Sequence, residues 1–264
     1  PGIHIGVSMH QDALTAWGTT RAIPPLCFVV EVVGPGHIVL KHRPRAESGK
    51  FVNLAVIEGD AAKLVDAQAS RMPGCPSLLA GLIDGDHPGP LAGQRLVELA
   101  VAMRAHRRGG TLLVVPGRAT SWQDSIVTPI PYAVDPPFTA LAEASAPDHV
   151  RRAVHTIAGF TAVDGATILT DQYALIGFGA KIRRRQGHPQ VDVLLHTEPI
   201  LGNEPTRMSP AQLGGTRHLS AAQFISDQRE GLALVASQDG RFTLLAWSPD
   251  EQIVHAHRID ALLV

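Results

Sequence analysis

The sequence has almost no cysteine: Cys27 and Cys75 are the only two in 264 residues. Two isolated thiols give neither a disulfide scaffold nor the paired spacing of a zinc site. Cys27, inside the apolar run PPLCFVVEVV, reads as a small buried apolar residue. Charge of one sign is lacking as well. Lys and Arg number 23 against 24 Asp and Glu, a formal net charge of −1, so no broad basic field draws the chain to nucleic acid or to an anionic membrane. Long hydrophobic runs are also missing. No stretch approaches the roughly 20 apolar residues that cross a bilayer, and the N-terminus has no basic segment leading into a signal-like apolar core. The expectation is a cytoplasmic protein with neither nucleic acid nor membrane as partner. Neither a solenoid-type repeat nor a heptad run is found.

What is present is enough apolar residue, 45% of the chain, to bury one sizeable core or two smaller ones. Leu26 to Val33, His37 to His42 and Phe51 to Glu58 read as three strands, separated by a Gly34-Pro35-Gly36 turn and a polar loop from Pro44 to Lys50. A Pro/Gly-rich stretch, Met72 to Pro90, then suits a linker. The expected organisation is a small β-rich domain over residues 1–90, accessory or regulatory, and a second domain over 91–264. In the second, Leu91 to Arg107 carries Leu96, Leu99, Ala100 and Met103 at the spacing of a core-facing helical stripe, and leads into a strand at Thr111 to Val115. Helices over Pro137 to Ser145, Asp148 to Ala158 and Ser220 to Gln228 alternate with strands at Ala166 to Leu169, Leu232 to Ser237 and Phe242 to Trp247. The fold class expected is α/β, a mixed sheet flanked by helices.

Two short motifs in this second domain carry chemistry. Asp164-Gly165-Ala166 presents a carboxylate on a turn entering a strand, and Gly214-Gly215-Thr216-Arg217-His218 places a glycine turn, a hydroxyl, a guanidinium and an imidazole at a helix entrance. Backbone N–H groups at such an entrance, with an arginine fork beside them, suit phosphate oxygens. The carboxylate suits a divalent cation or an attacking hydroxyl, which together point to nucleotidyl transfer. Each motif alone has a plainer reading: Asp-Gly as a turn dipeptide, Thr-Arg-His as a helix cap with a solvated charge. Their order and flanking strands argue for the site. Elsewhere, His255 and His257 share a strand face and read as an ordinary surface pair, and Asp239-Gly240 reads as a hairpin turn.

The Asp-Gly-Ala, the Gly-Thr-Arg-His entering a helix, and the later Ser237-Gln238-Asp239 resemble the diadenylate cyclase domain, the nucleotide-binding domain also found in the DNA-integrity scanning protein DisA. The resemblance covers roughly Leu91 to Trp247. It implies condensation of two ATP into cyclic di-AMP, with Asp164 binding Mg²⁺ or Mn²⁺ and activating a 3′-hydroxyl. It further implies that Arg217 and His218 act catalytically, that Gly165, Ala166, Gly214, Gly215, Thr216, Arg217 and Ser237 hold the nucleotide, and that His218 and Asp239 assist the metal. Ring closure needs two half-sites facing each other, hence a homodimer or higher assembly. Two departures stand out: Leu219 replaces the family's second arginine, and Gln238 its middle acid. A lost guanidinium beside phosphate costs about 1.5–3 kcal/mol unless replaced. Arg183, Arg184 or Arg185 offers such a replacement, or the three form a solvated charge run. The family also has divergent relatives, proposed as nucleotide sensors, so the alternative is a non-catalytic domain that binds a nucleotide or cyclic dinucleotide.

Overall fold

The computed structural model describes residues 4–10, 13–20, 27–42, 51–66 and 92–263. The chain divides into two compact units, Pro1–Val65 and Asp66–Val264. The linker read over Met72 to Pro90, and with it the boundary at residue 90, lies outside the described residues, as do Leu91 and Cys75.

Among its described residues the first unit is all β. An antiparallel hairpin pairs β1 (His4–His10) with β2 (Ala13–Thr20), and a separate meander runs β3 (Phe28–Gly34), β4 (His37–His42), β5 (Val52–Glu58) and β6 (Ala61–Leu64) in that spatial order. The three strands expected here are present, and a fourth joins them. Gly36 at φ +67° turns β3 into β4, a left-handed conformation that glycine adopts without steric cost. Val39, Ala55 and Val56 are buried apolar residues among those described, whereas Cys27 is half-buried rather than buried.

The second unit is built on a nine-stranded mixed sheet. Along the chain come α1 (Ala92–Ala105), β7 (Gly110–Val115), a 3-10 turn (Ser121–Ser125), β8 (Tyr132–Phe138), α2 (Ala140–Glu143), α3 (Pro147–Phe160), β9 (Ala166–Thr170) and β10 (Leu175–Ala180). There follow β11 (Leu194–Thr197), β12 (Thr206–Met208), α4 (Pro210–Leu213), α5 (Thr216–Asp227), β13 (Leu232–Ala236), β14 (Phe242–Ser248) and β15 (Ile253–Arg258). The sheet order is β12-β11-β15-β14-β13-β7-β9-β10-β8, with β7 parallel to β9 and β11 parallel to β15.

The central strands GTLLVV and LALVA are buried at every position, as expected of strands covered on both faces. Successive side chains point to opposite faces. Leu112 and Val114 therefore join α1 and α3 in one core, and Leu113 and Val115 join α5 in the other. On α1 the stripe of Leu96, Leu99, Ala100 and Met103 is buried as its spacing predicts. On α5 the positions His218, Ala221, Ala222 and Ile225 form the equivalent stripe, with Phe224 beside it.

Three expectations are corrected. The helix read over Pro137 to Ser145 begins as strand: β8 carries Asp135-Pro136-Pro137-Phe138, and only Ala140–Glu143 is helical. Proline is tolerated there because β8 is the last strand of the sheet. The helix read from Ser220 starts at Thr216, so Thr216, Arg217 and His218 form its first turn. His255 and His257 are buried, because β15 lies inside the sheet between β14 and β11.

Candidate functional site

Strand register gathers the motifs. Thr111 of β7 faces Ala166 of β9, Ala166 faces Ala180 of β10, and Ala236 of β13 faces Gly110 of β7. The starts of β7 and β9 and the ends of β10 and β13 thus share one end of the sheet. Just beyond them lie Asp164-Gly165, Lys181-Ile182 and Ser237-Gln238-Asp239, and the first turn of α5 reaches the same place. Together they line a cleft of about 790 Å³, within the range of small-molecule sites, about 300–1,000 Å³. Of the residues singled out in the sequence, Asp164, Gly165, Ala166, Gly215, Thr216, Arg217, His218, Ser237 and Asp239 line it, and Gly214 lies behind His218.

Gly165 is required by its backbone. Its φ is +105°, and a Cβ there would sit 2.5 Å from the carbonyl carbon of Gly179, itself at φ +70°. The turn that presents Asp164 crosses β10 where only glycine fits on either side. Gly165→Ala is expected to lower stability by about 1–3 kcal/mol from backbone strain alone. The check is a urea titration: an unshifted midpoint would show that the turn relaxes without cost.

Asp164 is exposed, and its Oδ2 lies 2.6 Å from the Nζ of Lys181. Lys181, by hydrogen bond and by charge, holds the Asp164 carboxyl below the usual carboxylate range, with a smaller contribution from Arg217. Arg217 is half-buried and lies against Gly109, where an added Cβ would come within 3.1 Å of its Nη1. Gly109, at φ +70°, makes the room for this guanidinium. The first amides of a helix have no partner within it, and Gly215, Thr216 and Arg217 carry them at the wall of the cleft.

His218 is buried. Its Nε2 is 3.2 Å from Thr243 Oγ1 on β14, and its Nδ1 edge packs against Gly214, where a Cβ would collide with the ring. Burial pushes its pKa down to about 4, so the imidazole is neutral at ordinary pH. Asp239 closes the β13–β14 turn, accepting from the Arg241 N–H at 3.2 Å and pairing with Arg241 Nε at 3.3 Å. Gln238 Nε2 donates to Arg108 O at 3.4 Å. Leu219, where the resemblance expects arginine, is exposed.

A divalent cation needs several oxygen or nitrogen donors around one point. The three residues expected to supply them are each engaged: Asp164 with Lys181, His218 with Thr243, and Asp239 with Arg241. Among the described residues no group of three or more His, Cys, Asp or Glu is placed to hold a metal ion.

The residue that sequence reasoning missed is Lys181. The arginines next to it were read as candidates for the missing charge, yet Arg183 donates to Asp124 O at 3.0 Å and Arg185 pairs with Asp124 Oδ2 at 3.2 Å, while Lys181 lines the cleft. The available signal was the pair of short apolar runs ATILT and LIGFGA around Asp171-Gln172, a hairpin that sets Ala180 beside Ala166 and so Lys181 near Asp164. Thr111 and Ser220 also line the cleft without having been singled out.

No helix among the described residues is long and apolar enough to cross a membrane. No protein-family model matches the sequence, and no curated protein matches it. Among solved structures, a hypothetical membrane spanning protein from Bacillus cereus is similar at 15% identity and a TM-score of 0.37, over 62% of this chain and 61% of that one. The chain thus spans about 61% of that protein's length. DacA from Staphylococcus aureus, solved as a double mutant, is similar at 16% identity and a TM-score of 0.30, over 57% of this chain and 78% of that one. Both are weak likenesses of fold.

Proposed function

We propose that the second unit binds a nucleotide or cyclic dinucleotide through its phosphates, as a binding domain rather than a catalyst. The observation that carries this reading is the convergence of α5's first turn, Arg217 and Lys181 on one cleft. Helix amides and an arginine fork are matched to phosphate oxygens. Two features favour binding over turnover: the carboxylate of Asp164 is held by Lys181, and Leu219 leaves one guanidinium out. A titration with labelled ATP and with cyclic di-AMP is expected to saturate for at least one of them. Arg217→Ala should weaken that binding about tenfold or more, the usual worth of a charge-assisted contact. No saturable binding of either ligand would overturn the reading in favour of a purely structural domain.

The second reading, a diadenylate cyclase, is favoured by one observation: Asp164 remains exposed at the cleft on a turn that Gly165 fixes. It requires Mg²⁺ or Mn²⁺ and two half-sites in a homodimer or higher assembly. Incubation with ATP and Mn²⁺, followed by mass detection, is expected to yield no cyclic di-AMP. Product that vanishes in Asp164→Asn would move the conclusion to the cyclase.

A further inference from the structure

The Asp164–Lys181 pair bears on how the cleft is neutralised when a ligand arrives. We infer that the ammonium of Lys181 stands where a divalent cation would meet Asp164, so that the cleft takes the phosphates of its ligand without a divalent metal. The inference rests on the nucleotide-binding reading above.

Both partners are placed by backbone and not by chance encounter of long side chains. Asp164 sits on the glycine turn that opens β9, Lys181 follows the last residue of β10, and the facing of Ala166 with Ala180 holds the two strands together at that point. The resulting Nζ to Oδ2 distance is 2.6 Å, although both side chains are exposed. A cation approaching that carboxylate would meet the ammonium in the same space, and the charge of Arg217, which lines the same cleft, would oppose it as well. The two other residues that the resemblance assigns to a metal are engaged elsewhere, His218 with Thr243 and Asp239 with Arg241. Asp164 is then a positioning residue: it orients a flexible point charge toward the cleft, while Arg217 supplies the planar fork. The Lys181 ammonium, the Arg217 fork and the first amides of α5 line the same cleft and offer a phosphate group its donors.

The test uses the full chain and calorimetric titration with ATP and with cyclic di-AMP, in EDTA and again in Mg²⁺. The expected result is the same Kd in both buffers within about twofold, weakened about tenfold or more in both by Lys181→Met and largely recovered in Lys181→Arg. Lys181 is more than half exposed, so neither substitution disturbs a core. Binding that appears only with Mg²⁺, or that Lys181→Met leaves intact, would overturn the inference while leaving the binding reading standing. No binding in either buffer would instead remove the binding reading itself. A second readout needs no nucleotide. In electron paramagnetic resonance the wild-type chain should leave added Mn²⁺ free, and bound Mn²⁺ that disappears in Asp164→Asn would also overturn it.

Discussion

Lowering the pH from 7.5 to 4.5 is expected to destabilise the second unit by several kcal/mol, with the loss beginning near pH 6.5. Burial pushes His218 and His255 down from 6.5 to about 4 and holds His257 well below 6.5, with His196 nearby adding to the shift in the β15 pair. His255 and His257 lie face to tilted face with centroids 3.8 Å apart, and the Thr197 hydroxyl on β11 bonds both. Below the ordinary imidazole pKa the unfolded chain takes up protons that the folded chain refuses, so each step downward favours unfolding. The loss runs from 6.5 to about 4 and is complete for His218 and His255 below that. An imidazole held near 4 instead of 6.5 is worth on the order of 3 kcal/mol. Against a total stability of about 5–15 kcal/mol, two such groups leave little margin.

Urea unfolding at a series of pH values checks this. The midpoint should fall through the window from pH 6.5 to 4.5, above the range in which ordinary aspartates with a reference value of 3.8 titrate. His255→Asn should make the fall shallower, because one refusing group is gone. A midpoint flat to pH 4.5 would mean that the imidazoles are solvated or paired in a way the fold does not provide.

The legible and illegible parts of the site differ in how far apart their determinants lie. Asp164-Gly165 and Gly214 through His218 were readable because each motif completes its own local geometry: a left-handed glycine turn in one, a helix start in the other. Lys181 was not, because its place depends on a hairpin between β9 and β10 and on the facing of Ala180 with Ala166. The alternation that puts His255 and His257 on one face was visible. Their burial was not, since it requires β11 to return parallel to β15 from a distant stretch of chain. At β8 the local signals were misleading. The helix expected from Pro137 to Ser145 begins instead as strand, because the sheet's edge accepts the prolines. The helical stripe of α1 was read correctly because its period alone decides which face is buried.

Phe224→Ala is expected to remove about 3–5 kcal/mol of stability, the cost of a large side chain deleted from a packed core. Phe224 is fully buried, on the α5 face that packs with Leu113, Val115, Ala233 and Val235. Its ring also closes on Gly231, where an added Cβ would lie 3.2 Å from Phe224 Cε1, so the turn into β13 is packed against the same side chain. The position therefore links stability to the cleft: α5 carries Thr216 and Arg217 at its first turn, and β13 leads into Ser237 and Asp239. Phe224→Leu, which keeps most of the volume, should cost less than Phe224→Ala. Comparing the two by urea unfolding and by ligand titration separates two effects. If α5 is held as a rigid element, affinity in the alanine variant falls with stability even under conditions where the chain remains folded. Unchanged affinity in a folded, destabilised Phe224→Ala would show that the first turn is fixed by His218, Gly214 and Thr243 alone.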